Sequence, residues 1–352
     1  MTKPYISTWN RVTKYDFIRP MNKLATIMRH CTNYISLVTF MFLLFTSCKE
    51  RREINFNNYK VYKIDNNYNI DINQKYYQLF LVCMKYNIPI STYKTMTQFS
   101  DSRISQIIKD LELYKYIKKS ENKIKPVIFI ADNSDVEKLF KLAENSSTRI
   151  ADLITNDTTN IVAEFNKLKI SEKDKFDIWE YLFIGNILIG QGQLFYISDS
   201  LLNDNLNNNS FNVCYNSIIE NNNPILDNFY YINYIDGTSA SSICEFGNYQ
   251  QLTTEYWHDN ERKYIIPAED NFKLFYIAKN YSNKILPILK SELPRIKEYY
   301  TNSHYNREIE FNVFYYWYYH FIYSKSIKKL IDNRILKKPE NNFKYTRLNY
   351  CG

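Results

Sequence analysis

The residues best equipped for chemistry in this 352-residue chain are four histidines and six cysteines, and most of them stand far apart. His258 is the exception. It lies among Glu255, Asp259 and Glu261, and a histidine beside carboxylates could do general acid–base work. The pattern around it reads as a turn, so the simpler expectation is an exposed loop. Separately, aromatics near the turns of this region, Tyr230, Tyr231, Tyr249, Tyr256 and Trp257, with His258 beside them, are candidates for stacking on a glycan or protein partner. His304 and His320 are isolated in sequence, and His320, inside an aromatic helical run, reads as a hydrogen-bonded core histidine. Of the six cysteines, Cys31 falls in an N-terminal leader and Cys48 at its end. Cys83, Cys214, Cys244 and Cys351 form no CxxC pair and have no histidine at metal-ligand spacing, so no zinc site is expected, and no motif for another cofactor is found. Of the four after Cys48, Cys214 and Cys244 are nearest each other; a disulfide and buried thiols both remain open. Gly185, Gly190 and Gly192 in GNILIGQG lack the Lys-Ser/Thr of a phosphate loop, and no HExxH or GxSxG occurs. No catalytic residue is therefore assigned, and a hydrolase is the weakest of the functions considered.

Composition narrows the field further. Apolar residues make up 45% of the chain, enough for two or three packed domains and too many for a disordered one. The formal charge of +8 suggests an anionic partner such as nucleic acid or a membrane surface. The 33 tyrosines and 22 phenylalanines, together with abundant Ile, Asn and Lys, match AT-rich coding, so aromatic richness alone does not indicate a ligand.

Before the folded body lies an uncharged stretch, Tyr34–Phe45 (YISLVTFMFLLF), preceded by Lys23, Arg29 and His30 and followed by Thr46, Ser47 and Cys48. It is shorter than the roughly 20 residues of a transmembrane helix and matches the 7 to 15 of a secretory h-region. The segment resembles the signal peptide of bacterial lipoproteins, with Met21 or Met28 as the natural start and cleavage between Ser47 and Cys48. The resemblance implies acylation of Cys48, palmitate among the chains, and a membrane-anchored place in the bacterial cell envelope. Loss of residues 1–47 removes six basic residues and one acidic one, so +8 falls to +3. Residues 48–73 then form a charged tether and an extended lead-in.

Residues 74–130 read as a module. Tyr77, Phe80, Leu81 and Met84 share one helical face; a short helix follows over Thr92–Phe99; Ser100 caps a third helix carrying Ile104, Ile107, Ile108 and Leu111. Lys118–Lys123 reads as a polar turn, and Ile124–Ile130 as an edge strand because of Pro126. This order resembles a winged helix-turn-helix. The resemblance implies DNA contact through Arg103, Lys109, Lys118, Lys119 and Lys123, and a cytoplasmic regulator as the alternative to the envelope protein.

Residues 131–209 read as helical, with Ser134 capping the first helix and a single helix over Thr148–Leu168. In 210–352, short strands at Phe229–Ile235, Ser241–Phe246, Gln251–Trp257 and Lys263–Ile266 read as an antiparallel β-meander. Helices follow at Asn271–Asn280, Lys284–Tyr300 and Glu308–Leu336, the last with a Phe314, Trp317, Phe321 stripe. The expected fold is α+β, mainly helical, and the expected function is a non-catalytic, lipid-anchored binding or structural protein.

Overall fold

A computed structural model describes residues 54–62, 70–120, 123–191, 201, 216–220, 222–228, 230–236, 241–246, 262–338 and 345–350. The chain divides into two units, 1–58 and 59–352, and the described part of the first is confined to residues 54–58 with a 3₁₀ turn, Phe56–Asn58. The leader, Cys48 and the tether to residue 53 lie outside the described residues.

The second unit is mainly helical with small sheets. After β1 (Tyr59–Tyr62) come α1 (Lys75–Lys85), α2 (Ile90–Thr97) and α3 (Asp101–Leu113), then the antiparallel hairpin β2 (Ile117–Ser120) and β3 (Lys123–Pro126). The Ser100 hydroxyl accepts the Arg103 backbone N–H at 3.2 Å, which caps α3 as its sequence indicates. Ile104, Ile107 and Leu111 are buried with Phe80 and Tyr93, whose rings meet edge to face at 5.1 Å. Glycine is scarce, so Asn87, Gln98 and Lys115 take the left-handed positions that end these helices, at φ 53°, 55° and 59°. Each costs roughly 1 kcal/mol that glycine would not.

The stretch expected as one edge strand over Ile124–Ile130 is two. Pro126 has no N–H to extend the ladder and ends β3, while β4 (Phe129–Ala131) is fully buried and joins a different sheet. That sheet runs β1, β5 (Ser217–Glu220), β4, with β5 antiparallel to β1 and parallel to β4.

Next come α4 (Asn133–Leu142), α5 (Glu144–Asn156), α6 (Thr158–Phe165), α7 (Phe176–Tyr181) and a π-helix, Leu182–Gln191. Asp132, not Ser134, caps α4: its carboxylate accepts the Asp135 N–H at 2.9 Å while Asp135 reaches back to the Asp132 N–H at 3.4 Å. The helix expected over Thr148–Leu168 starts earlier and breaks at Asp157, whose carboxylate is drawn away to Tyr281 (2.5 Å) and Lys284. Gly185 and Gly190 lie in the π-helix, buried among Phe183, Ile184, Leu188 and Ile189, so close packing accounts for them; Gly192 is outside the described residues.

The expected meander is overturned. β6 (Tyr230–Asp236) and β7 (Ser241–Phe246) do form a hairpin, but β9 (Tyr345–Tyr350) inserts between β7 and β8 (Arg262–Ile266). The four-stranded order is β6-β7-β9-β8 with β8 and β9 parallel, so this sheet is mixed. Strand pattern marks a segment as extended and does not name a partner a hundred residues away. The strand expected at Gln251–Trp257 lies outside the described residues.

The two helices expected between Asn271 and Tyr300 are one, α8 (Ala268–Asn302). The polar stretch at 280–283 is no break, because Tyr281 bonds Asp157 and the Ser282 hydroxyl donates back to the Ala278 carbonyl. Pro287 and Pro294 sit seven residues apart on the solvent face, so the carbonyls they leave without donors are on the wet side. In the first turn of α8, buried Asp270 accepts the backbone N–H groups of Lys169 and Ile170, both at 2.9 Å. Finally α9 (Phe311–Asp332) is buried on almost every side rather than along one stripe: Phe314, Tyr315, Trp317, Tyr318 and Phe321 are all sealed in the main core. His320 is buried there as its context suggests. Its Nδ1–H donates to the Tyr316 carbonyl at 3.0 Å, and burial lowers its pKa to about 4.

Candidate functional site

Chemistry gathers where the end of α1, the start of α4 and the turn between α8 and α9 meet. α1 ends on Lys85, with only 5% of its side chain exposed, and its ammonium sits 3.2 Å from Asp135 and also bonds the Ile130 carbonyl. The α4 capping box fixes Asp135 from the other side. Ser303 accepts the Tyr305 N–H and opens a 3₁₀ turn, His304–Arg307, which presents His304 to the same carboxylate. His304 Nε2 lies 3.1 and 3.2 Å from the two Asp135 oxygens, and its Nδ1 lies 3.0 Å from Glu308 Oε2. Beside this row, the Tyr86 hydroxyl donates to Asp132 at 2.9 Å.

The electrostatics follow from position. Burial alone would raise the Asp135 pKa, but the hydrogen bond from His304 and the Lys85 charge outweigh it and hold the carboxyl well below its ordinary range. Burial alone would lower His304; its two carboxylates outweigh that, and the Lys85 charge, and raise it. Both ring nitrogens lie against carboxylates in this arrangement, which favours the charged form of His304 and makes it a clamp between Asp135 and Glu308. A raised histidine pKa stabilises the fold fully below the unfolded value of about 6.5, and that contribution is lost as pH rises through the folded value. We therefore expect the stability gap between the natural chain and His304→Asn to be widest near pH 6 and to narrow toward pH 9, read by urea unfolding across pH. A gap that widens with pH would contradict the clamp.

Above the clamp lies a groove of about 530 Å³. Lys123 and Lys125 of β3, Lys138 of α4 and Arg307 of the turn line it, over Asp132, Asp135 and Glu308. Two adjoining depressions share its walls. One of about 370 Å³ shares Arg307 and Glu308 and adds Lys118; one of about 580 Å³ shares Asp135, Lys138 and His304.

The residues singled out from sequence are distributed unevenly. Arg103, Lys109, Lys118, Lys119 and Lys123 are all exposed. Arg103 rests over the Tyr76 ring at 5.1 Å, Lys119 pairs with Glu112, and Lys118 and Lys123 reach the grooves. Ser47, Cys48, Tyr256, Trp257 and His258 lie outside the described residues, as do Cys214 and Cys351. Cys83 is a buried free thiol whose pKa burial pushes up to about 12, which makes it a poor nucleophile. His304 is not isolated, contrary to expectation. Glu308, four residues on, was the visible signal for one partner; Lys85 and Asp135 reach it only through the fold.

Among the described residues no cluster of three or more histidines, cysteines and carboxylates is placed to hold a metal ion, and no helix is long and apolar enough to cross a membrane. No protein-family model matches this chain, and no curated protein or solved structure matches it either.

Proposed function

We propose that this is a lipid-anchored protein of the bacterial cell envelope that binds a partner rather than catalysing a reaction. The observation that carries the reading is the leader: an uncharged run at Tyr34–Phe45 behind basic residues, stopped by Thr46, Ser47 and Cys48. The acyl chains on Cys48 would hold the body at the membrane, since two or three chains bind far more firmly than one. The body supports a binding role in that its best-organised polar cluster commits the histidine to carboxylates on both sides. In cells fed radiolabelled palmitate, label is expected in the natural chain and absent from Cys48→Ala. Label that survives the substitution, or never appears, would remove the anchor.

One observation favours a second reading. α1, α2, the capped α3 and the β2–β3 hairpin follow one another in the order of a winged helix, with Arg103 and Lys109 exposed on α3. Under this reading the chain is a cytoplasmic DNA-binding regulator. Duplex binding would then fall steeply with salt and be lost in Arg103→Gln/Lys109→Gln.

A further inference from the structure

We propose that the three adjoining depressions around the Ser303–Glu308 turn form one trough that binds a flexible chain of phosphate groups. The trough does not depend on the lipid anchor, and it lies apart from the exposed face of α3. Lys118, Lys123, Lys125, Lys138 and Arg307 have no carboxylate partner among the described residues. The carboxylates on its floor are already committed: Asp135 to Lys85 and His304, Glu308 to His304, and Asp132 to the Tyr86 hydroxyl and the Asp135 N–H. Glu298 and Glu310 line the outer depressions and Asp132 keeps its charge, yet among the described residues the three linings together hold eight lysines and arginines against five carboxylates, which leaves a net positive field.

Two features choose the ligand class. The cations are spread over all three depressions: the central groove shares Arg307 with the smaller depression and Lys138 with the larger one. A single anion would engage one depression, whereas a chain can engage all of them. Lysine predominates, and an ammonium is a point charge that meets phosphate oxygens in many orientations, as a flexible ligand requires.

The test uses the full-length chain in detergent micelles with short-chain inorganic polyphosphate as the probe, titrated across salt. Binding is expected, with an affinity that Lys123→Gln/Lys125→Gln/Arg307→Gln lowers by about tenfold or more and a log–log salt slope that shrinks by about 2. The control variant Lys173→Gln/Lys279→Gln/Lys290→Gln removes the same charge from exposed sites outside the trough. It should bind within about twofold of the natural chain, since charges beyond a Debye length of about 10 Å are screened. Equal losses in both variants would reduce the effect to net charge and overturn the site. Equal competition by poly-L-glutamate would overturn the phosphate class, and duplex DNA binding that depends on Arg103 and Lys109 instead would overturn the trough in favour of the nucleic-acid reading. Loss of palmitate labelling at Cys48 would leave this result untouched, so the two proposals fail separately.

Discussion

Asp135→Ala is expected to lower the free energy of unfolding by about 3 to 5 kcal/mol, which is a large part of the roughly 5 to 15 kcal/mol of an ordinary domain. The loss comes less from the contacts removed than from what is left behind. Lys85 would keep its charge at 5% side-chain exposure with the Ile130 carbonyl as its remaining acceptor among the described interactions. His304 would keep Glu308 alone, and the α4 N-terminus would lose one arm of its capping box. Removing both charges should cost far less: Lys85→Met/Asp135→Leu is expected to be more stable than Asp135→Ala, because no orphaned charge remains buried. Urea midpoints at neutral pH decide the matter. A loss below about 1 kcal/mol for Asp135→Ala, or a double variant as unstable as the single one, would mean that water reaches the ion pair.

Trp317→Ala should cost a similar amount, about 3 to 5 kcal/mol, for a different reason. Trp317 is fully buried on α9 and touches the three-stranded sheet through two of its strands. It stacks on Phe129 of β4 at 6.0 Å and meets Tyr62 of β1 edge to face at 6.2 Å. On its other side it stacks on His320 at 4.8 Å. Truncation opens a cavity against a β-sheet, which relaxes less than a loop would, so collapse recovers little. Trp317→Phe keeps a ring in place and should lose clearly less. Thermal unfolding of both variants checks this, and equal losses would show that the indole's extra ring carries no packing.

How much of this could be read from the sequence depends on range. The first three helices and the cap at Ser100 were legible, because Ile104, Ile107 and Leu111 recur at helical spacing and the cap is a local hydrogen bond. The burial of His320 was legible from its aromatic neighbours. The course of α8 was not: Asn280 and Asn283 resemble a helix stop, and what keeps the helix going is Tyr281 bonded to Asp157, more than a hundred residues earlier. The clamp at His304 was half legible, since Glu308 lies one turn ahead, while Asp135 arrives through the packing of α4 against the α8–α9 turn. The order of the four-stranded sheet was not legible, because alternation along β9 cannot say which edges it will join.

That mixed sheet sets a condition on how the molecule assembles. β8 and β9 are parallel neighbours, and the whole of α8 and α9 lies between them in the chain. Their pairing therefore closes a very long loop, and the entropy of closure has to be met before any ladder hydrogen bond repays it. Seating α8 and α9 first would shorten that loop, so the four-stranded sheet is expected to form late in refolding. Until then the β6–β7 hairpin carries an open edge where β9 belongs, and a second unfolded chain can offer the same strand. Refolding yield should accordingly fall as protein concentration rises, with the β7 edge as the point of mispairing.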